Sequence, residues 1–130
     1  MDSKIIDKIK EIATLHEEVK LVYLFGSHAT GKTGPLSDLD IAIYADERDK
    51  KKLFDLKLVL MDEFGRSLVT DRIDVVVINL TESPELKYQI IKEGKLIYEE
   101  EPFKVLIEPK ILNEYFDFHD ILARHGLTKT

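Results

Sequence analysis

The chain has 130 residues, of which 44% are hydrophobic and 34% charged, with a formal net charge of -6 and no cysteine. This length suits one domain, and the lack of cysteine excludes disulfides and thiolate metal sites and leads us to expect a cytoplasmic protein. No apolar run approaches the roughly 20 residues that span a bilayer, no secretory signal is visible, and the acidic balance argues against direct nucleic-acid binding.

The first part of the chain predicts a helix followed by a buried strand. Apolar residues recur at helical spacing over residues 5–19, with Asp2 or Ser3 available as the N-cap. Residues 20–25 then carry five apolar side chains in succession, as expected of a strand that is covered on both faces. Gly26 ends this strand.

A polar loop separates this strand from a second one. Residues 28–37 hold two glycines, one proline and two threonines, which is typical of a loop. In the strand predicted for residues 38–44, side chains alternate between two faces. One face is apolar and the other carries Asp38 and Asp40.

The next stretch predicts a helix and a third strand. A broad apolar face indicates a helix over residues 51–64, with Gly65 as its stop. Residues 72–80 are β-branched or apolar on both faces apart from Asp74, so they are predicted to form a strand that packs into the core.

The remaining elements are short, except for the C-terminal tail. Ser83 and Pro84 predict an N-cap and first helical position for a helix that ends at Gly94. Residues 95–98 predict a last strand. The tail over about residues 103–126 is predicted to be helical, and it is rich enough in aromatic residues either to cover the core or to meet another chain.

The two aspartates of the second strand point to metal-ion chemistry. Asp38 and Asp40 lie on one strand face about 7 Å apart, where their charges repel unless a cation is shared. If the Asp74 strand lies beside theirs, the three carboxylates meet at one edge of the sheet. Oxygen ligands clustered in this way suit Mg²⁺, with substrate phosphates and waters completing its coordination.

Gly26 and Ser27 predict the other half of the site. At the end of a strand, glycine lets the backbone approach a phosphate, and exposed N–H groups with a serine hydroxyl can bind its oxygens. A triphosphate held between this pair and the metal ions would be set up for nucleotidyl transfer, in which a hydroxyl attacks the α-phosphorus and pyrophosphate leaves.

The motif as a whole resembles a known signature. Glycine-serine, ten intervening residues, Asp38-Leu39-Asp40 and a later aspartate in an apolar strand resemble the DNA polymerase β-type nucleotidyltransferase superfamily. The small size is similar to its minimal nucleotidyltransferase (MNT) group. The similarity covers about residues 19–98.

The resemblance implies a fold and roles for the site residues. The fold would be α/β (α+β), a mixed central sheet with helices mainly on one face, in a single domain 1–130 with its core at about 19–98. Asp38 and Asp40 would hold both of two Mg²⁺ ions, and Asp74 would hold the catalytic ion and help to activate the acceptor. Gly26 and Ser27 would bind the phosphates of ATP.

The resemblance also implies a partner. Many MNT proteins are antitoxins encoded beside a HEPN-domain ribonuclease toxin, and the best understood of them transfer AMP from ATP to a tyrosine of that toxin. The sequence leaves two alternatives open, a nucleotidyltransferase that modifies a small molecule such as an aminoglycoside and a non-catalytic antitoxin that masks its partner. Homo-oligomer formation, the nucleotide preference and the general base are also left open.

Each residue also has a purely structural interpretation. Gly26-Ser27 alone would be an ordinary turn, Asp38 and Asp40 a solvated strand end, and Asp74 a turn cap; their joint spacing favours the site. His28 and Lys32 are interpreted as solvent-facing loop residues. The Gly-Lys-Thr at residues 31–33 lacks the earlier glycine of a P-loop, and the remaining histidines show no metal-ligand spacing together.

Overall fold

The structure, a computed structural model, describes residues 3–26 and 39–126. The described residues form four helices and four strands, together with a 3-10 turn at Ile78–Leu80. In chain order the elements are α1 (Ser3–Leu15), β1 (Val19–Phe25), β2 (Leu39–Ala45), α2 (Lys50–Leu68), β3 (Ile73–Val77), α3 (Pro84–Glu93), β4 (Lys95–Glu99) and α4 (Phe103–Arg124). The predicted order of elements is therefore confirmed for the described residues.

The strands form one mixed sheet in the order β3-β2-β1-β4. β1 pairs antiparallel with both β2 and β4, whereas β2 and β3 run parallel. As a result, β1 ends at the same edge of the sheet at which the other three strands begin. We call this edge the Gly26 end of the sheet.

Apolar clusters cover both faces of the sheet, and the larger one lies under α1 and α2. It combines Ile9 and Ile12 of α1 and Leu60 and Phe64 of α2 with alternate strand residues such as Ile41. Two of the four described helices, α1 and α2, therefore pack on this face. The opposite face carries a smaller cluster, built from strand residues with contributions of α3 and α4.

The C-terminus of α2 differs from the prediction. Gly65 does not end the helix, which continues to Leu68 and stops at Val69 in the left-handed conformation, with φ 52° and ψ 52°. Leu68 is four residues beyond Phe64 and packs partly against the larger cluster, so burial of its side chain favours another helical turn. The carbonyl of Gly65 accepts hydrogen bonds from the N–H groups of Val69 and Thr70.

The two remaining helices follow the predicted boundaries closely. Ser83 is the N-cap of α3, its hydroxyl accepting a hydrogen bond from the Leu86 N–H, with Pro84 at the start of the helix and Gly94 as its C-cap. α4 is a single helix that continues through Pro109. No helix in residues 3–26 or 39–126 is long and apolar enough to cross a membrane.

Candidate active site

Two of the predicted carboxylates lie side by side at the Gly26 end of the sheet. Asp40 of β2 is the parallel register partner of Asp74 of β3. Paired residues of adjacent strands are about 4.8 Å apart and point to the same face. Leu39 and Ile41, the neighbours of Asp40, belong to the larger cluster, so the two carboxylates project from the opposite face. The sequence analysis only assumed that the Asp74 strand lies beside the Asp40 strand, and the structure shows that β2 and β3 are neighbours.

Gly26 brings the end of β1 against the same carboxylates. Its φ is 74°, in the left-handed region that favours glycine. A Cβ atom built on Gly26 would lie 2.3 Å from Oδ2 of Asp40, a separation that no real side chain tolerates. The backbone of Gly26 and the carboxylate of Asp40 therefore share a space that only glycine leaves open. This close approach follows from the pairing of Phe25 with Asp40.

A cleft opens beside Asp74. It has a volume of ≈ 340 Å³ and is lined by Asp71, Arg72, Ile73 and Asp74. The Leu39 N–H donates a 2.8 Å hydrogen bond to the Arg72 carbonyl, which fixes the start of β2 against this segment. Asp74 is exposed to solvent and Asp40 is half-buried. Arg72 adds a cation to the cleft; sequence reasoning did not single it out, and its only signal was a basic residue directly before the Asp74 strand.

The other predicted site residues lie outside the described residues. These are Ser27 and Asp38 of the motif and His28 and Lys32 of the loop. Within residues 3–26 and 39–126, no group of three His, Cys, Asp or Glu side chains could hold a metal ion. The proposed set of three carboxylates needs Asp38, so the metal site stays a prediction.

The carboxylates that are described fit a hard divalent cation. Asp40 and Asp74 supply oxygen ligands from neighbouring strands, the donor type that Mg²⁺ prefers. The absence of a side chain at Gly26 lets the carboxylate of Asp40 lie directly against the backbone at the end of β1. This donor chemistry suits a metal-bound triphosphate, and the open cleft beside Asp74 adjoins the carboxylate pair.

A histidine-containing cleft lies elsewhere. It has a volume of ≈ 380 Å³ and its lining includes His16, Glu18 and Glu47, at the opposite end of the sheet from Gly26. His16 Nε2 is 2.7 Å from Oε2 of Glu63, a contact that joins α1's end to α2. This pairing explains His16 as a structural residue and not as a ligand of the candidate site.

Comparison with known proteins places the chain in a family. The model of the family described as "Polymerase beta, Nucleotidyltransferase" matches residues 7–103. The protein adenylyltransferase MntA of Aphanizomenon flos-aquae is 33% identical over 113 residues, which cover 72% of this chain and 73% of that protein.

Solved structures share the fold. A toxin-antitoxin crystal structure with AMP-PNP superposes with a TM-score of 0.74 at 23% identity, covering 95% of this chain and 94% of that chain. An MNT antitoxin, in complex with the tri-AMPylated HEPN toxin of Shewanella oneidensis, superposes with a TM-score of 0.73 at 22% identity and the same coverage. The polymerase β-like fold predicted from the motif is therefore confirmed. Since the family model spans most of the chain and includes both Gly26 and the paired carboxylates, the chain belongs to the polymerase beta nucleotidyltransferase family.

Proposed function

We propose that this protein is a Mg²⁺-dependent adenylyltransferase and antitoxin, which transfers AMP from ATP to a tyrosine of a HEPN ribonuclease toxin encoded by a neighbouring gene. The observation that carries the proposal is the pairing of Asp40 with Asp74 next to the bare backbone of Gly26. This arrangement sets two carboxylates, the donors that Mg²⁺ prefers, against the backbone at the end of β1 and beside the cleft at Asp74.

The relatives support the acceptor and the partner. One relative is named a protein adenylyltransferase, and a protein of the same fold has been crystallised with an AMPylated HEPN toxin. Another structure of this fold contains AMP-PNP, an analogue of ATP. Adenylylation of a protein partner is thus the activity that the names of these similar proteins favour.

The proposed reaction exchanges one bond at the α-phosphorus of ATP. The tyrosine oxygen forms a new bond to this phosphorus while the bond to the bridging oxygen of the β-phosphate breaks, and pyrophosphate leaves. The hydroxyl proton passes to a base or to solvent. Asp74, which is exposed beside Asp40, lies where it can orient the incoming hydroxyl, and the N–H groups at Gly26 can contact the phosphates.

Bound Mg²⁺ would be held by Asp40 and Asp74 together with Asp38, and it would neutralise the triphosphate and favour ionisation of the attacking hydroxyl. Both described carboxylates are needed for this role because each supplies oxygen ligands from a different strand. Replacement of either by asparagine keeps the size of the side chain but removes its charge.

The test uses the neighbouring-gene product, ATP and Mg²⁺, with intact-mass spectrometry of the partner. We expect the wild type to add AMP units to a tyrosine, and we expect Asp40→Asn and Asp74→Asn each to lower kcat/KM by at least about 100-fold. Asp46→Asn is the matched control, because it removes the same charge just beyond the opposite end of β2. Chelation of the metal should abolish transfer by the wild type.

The alternatives predict different outcomes. A partner of unchanged mass would overturn the proposal. If the aspartate variants still neutralise the toxin as well as the wild type does, the chain acts by masking its partner. If AMP appears on an aminoglycoside and not on the partner, the acceptor is a small molecule.

A further inference from the structure

Helix α4 carries a second, mostly apolar stripe that the described residues of the chain leave largely exposed. Its buried side faces the sheet, where Ile111 belongs to the smaller cluster. A different side presents residues spaced alternately by four and three positions, which we call the outer seam of α4. It consists of Val105, Pro109, Leu112, Phe116, His119 and Ala123.

The spacing of the outer seam is that of helix–helix contacts. Alternation of four and three residues gives an average period of 3.5, the repeat of positions that meet a partner helix in a coiled coil. Val105 is 70% exposed, Leu112 36% and Phe116 58%. Apolar side chains in a continuous stripe are unusual on a surface that meets only water.

Phe116 is held in place although it is exposed. The rings of Tyr88 and Tyr115 stack with centroids 3.8 Å apart, and Phe116 makes edge contacts with both, at 6.1 and 5.5 Å. A rigid aromatic side chain that is already ordered loses little freedom when a partner covers it, which is typical of residues that dominate binding energy.

His119 adds a polar group that lacks a partner. Its Nε2 atom is buried and has no hydrogen bond within the part of the chain that the structure describes. The ring is packed beside Tyr115, with centroids 4.3 Å apart. This nitrogen is covered by the chain's own side chains, so it indicates tight packing at the base of the outer seam and not a contact that a bound protein would make.

The outer seam leads to the candidate active site. α4 starts at the far end of the sheet, where Phe103 contacts Tyr44, and runs toward the Gly26 end. Its 22 residues are about 33 Å long, whereas the seven residues of β1 span about 23 Å. The last turns of α4 therefore extend past the sheet, on the face from which Asp40 and Asp74 project.

We propose that the outer seam of α4 binds an amphipathic helix of the partner that the proposed function requires, and so delivers the acceptor tyrosine to the Gly26 end of the sheet. Asp120 beside the seam is paired with Arg124, so Asp117 is the acid that favours a helix with lysine or arginine beside its apolar stripe. A second copy of this chain would bring its own Asp117 to the same seam and would offer this acid no matching cation. Continuity with the candidate site and this charge pattern both favour the partner over self-association.

Binding of the neighbouring-gene product is measured by calorimetry in the Asp40→Asn background, so that no transfer alters the partner during the measurement. We expect Phe116→Ser and Leu112→Ser each to weaken Kd by about tenfold or more. Phe54→Ser is the matched control, because Phe54 is 52% exposed on α2, which covers the opposite face of the sheet. Circular dichroism checks that each variant is folded.

The experiment distinguishes failure of the docking surface from failure of the proposed AMP transfer. If Phe116→Ser and Leu112→Ser bind like the parent, or Phe54→Ser alone loses binding, the seam is not the docking surface even when wild-type transfer is normal. If binding depends on Phe116 but the wild type transfers no AMP, the docking surface is supported and the proposed activity is wrong. If sedimentation shows a dimer of this chain that Phe116→Ser dissociates, a second copy covers the seam and the inference is wrong.

Discussion

At the scale of single residues, Gly26 is subject to two constraints, a left-handed backbone conformation and a close contact with Asp40. Its φ of 74° strains any other residue, and a Cβ would collide with Oδ2 of Asp40 at 2.3 Å. We expect Gly26→Ala to lower the free energy of unfolding by about 1–2 kcal/mol and to abolish AMP transfer, because the Asp40 carboxylate must move. Urea denaturation and the partner-mass assay measure the two effects.

Gly126 provides the matched control for this prediction. Its φ is 66°, but a Cβ there would meet nothing within 4 Å. Gly126→Ala therefore carries a similar backbone strain without a collision, and it should leave transfer unchanged. Normal activity of Gly26→Ala would mean that the approach of Gly26 to Asp40 has no part in catalysis.

At the scale of elements, a partly buried hydrogen bond attaches α4 to the sheet. The Tyr23 hydroxyl of β1 donates to Oε2 of Glu108 in α4 at 2.6 Å, and Tyr23 is 1% exposed. Burial, together with this hydrogen bond and the nearby Glu108 charge, raises the pKa of Tyr23 far above its ordinary value of 10.0. The folded protein therefore keeps this tyrosine protonated under conditions in which the unfolded chain loses the proton.

The sign of the resulting pH dependence follows from linkage. Below pH 10.0 the stabilisation is fully present, and above it the unfolded state loses a proton that folded Tyr23 retains. The Tyr23 contribution should fall by about 1.4 kcal/mol per pH unit above that value. Burial also raises the pKa of Tyr44, and the hydrogen bond to Glu100 raises that of Lys20, so the wild type loses stability there through several groups.

Tyr23→Phe isolates one of these groups. At about pH 8 we expect the variant to be less stable by about 1.5–3 kcal/mol, the worth of a hydrogen bond to a charged acceptor, and the difference should shrink at about pH 11. Urea denaturation at both pH values measures it. Tyr98→Phe, which removes a hydroxyl without a hydrogen-bond partner among the described residues, is the control. A difference that stays constant with pH would contradict the assignment.

The element boundaries show which parts of the fold local sequence can predict. Ser83 and Pro84 placed the start of α3 correctly because a cap and a fixed φ act within one turn. The predicted helix end at Gly65 was wrong because the packing of Leu68, a tertiary effect, outweighs the low helix propensity of glycine. The tail predicted to be helical over about residues 103–126 forms one continuous α4, although Phe103 and Ile107 are four residues apart, a spacing that both strand and helix periods accommodate.

At the scale of the whole molecule, the candidate site depends on pairings that no local pattern contains. The sequence placed Asp40 and Asp74 near the starts of two strands, but their adjacency requires the strand order β3-β2-β1-β4. The contact of Gly26 with Asp40 likewise depends on the antiparallel register of β1 and β2. The motif could therefore identify residues and chemistry, whereas the distances come from long-range contacts.

The overall charge predicts that RNA binds weakly and is not the acceptor of AMP. The chain has 25 acidic and 19 Lys or Arg residues, a net charge of -6, and its candidate site adds carboxylates at the Gly26 end of the sheet. Nonspecific binding to nucleic acid depends on basic side chains that neutralise phosphates. We expect single-stranded RNA to bind with a Kd weaker than about 10⁻⁴ M at physiological salt, measured by fluorescence anisotropy.

The same RNA should also fail as an acceptor of AMP under conditions in which the partner protein is modified, which shows that the enzyme sample is active. Saturable RNA binding whose affinity falls steeply with salt would contradict the prediction, because a slope of several in log K against log salt counts that many phosphate contacts. A local basic surface would then outweigh the net charge of -6, and RNA would join the partner protein as a candidate acceptor.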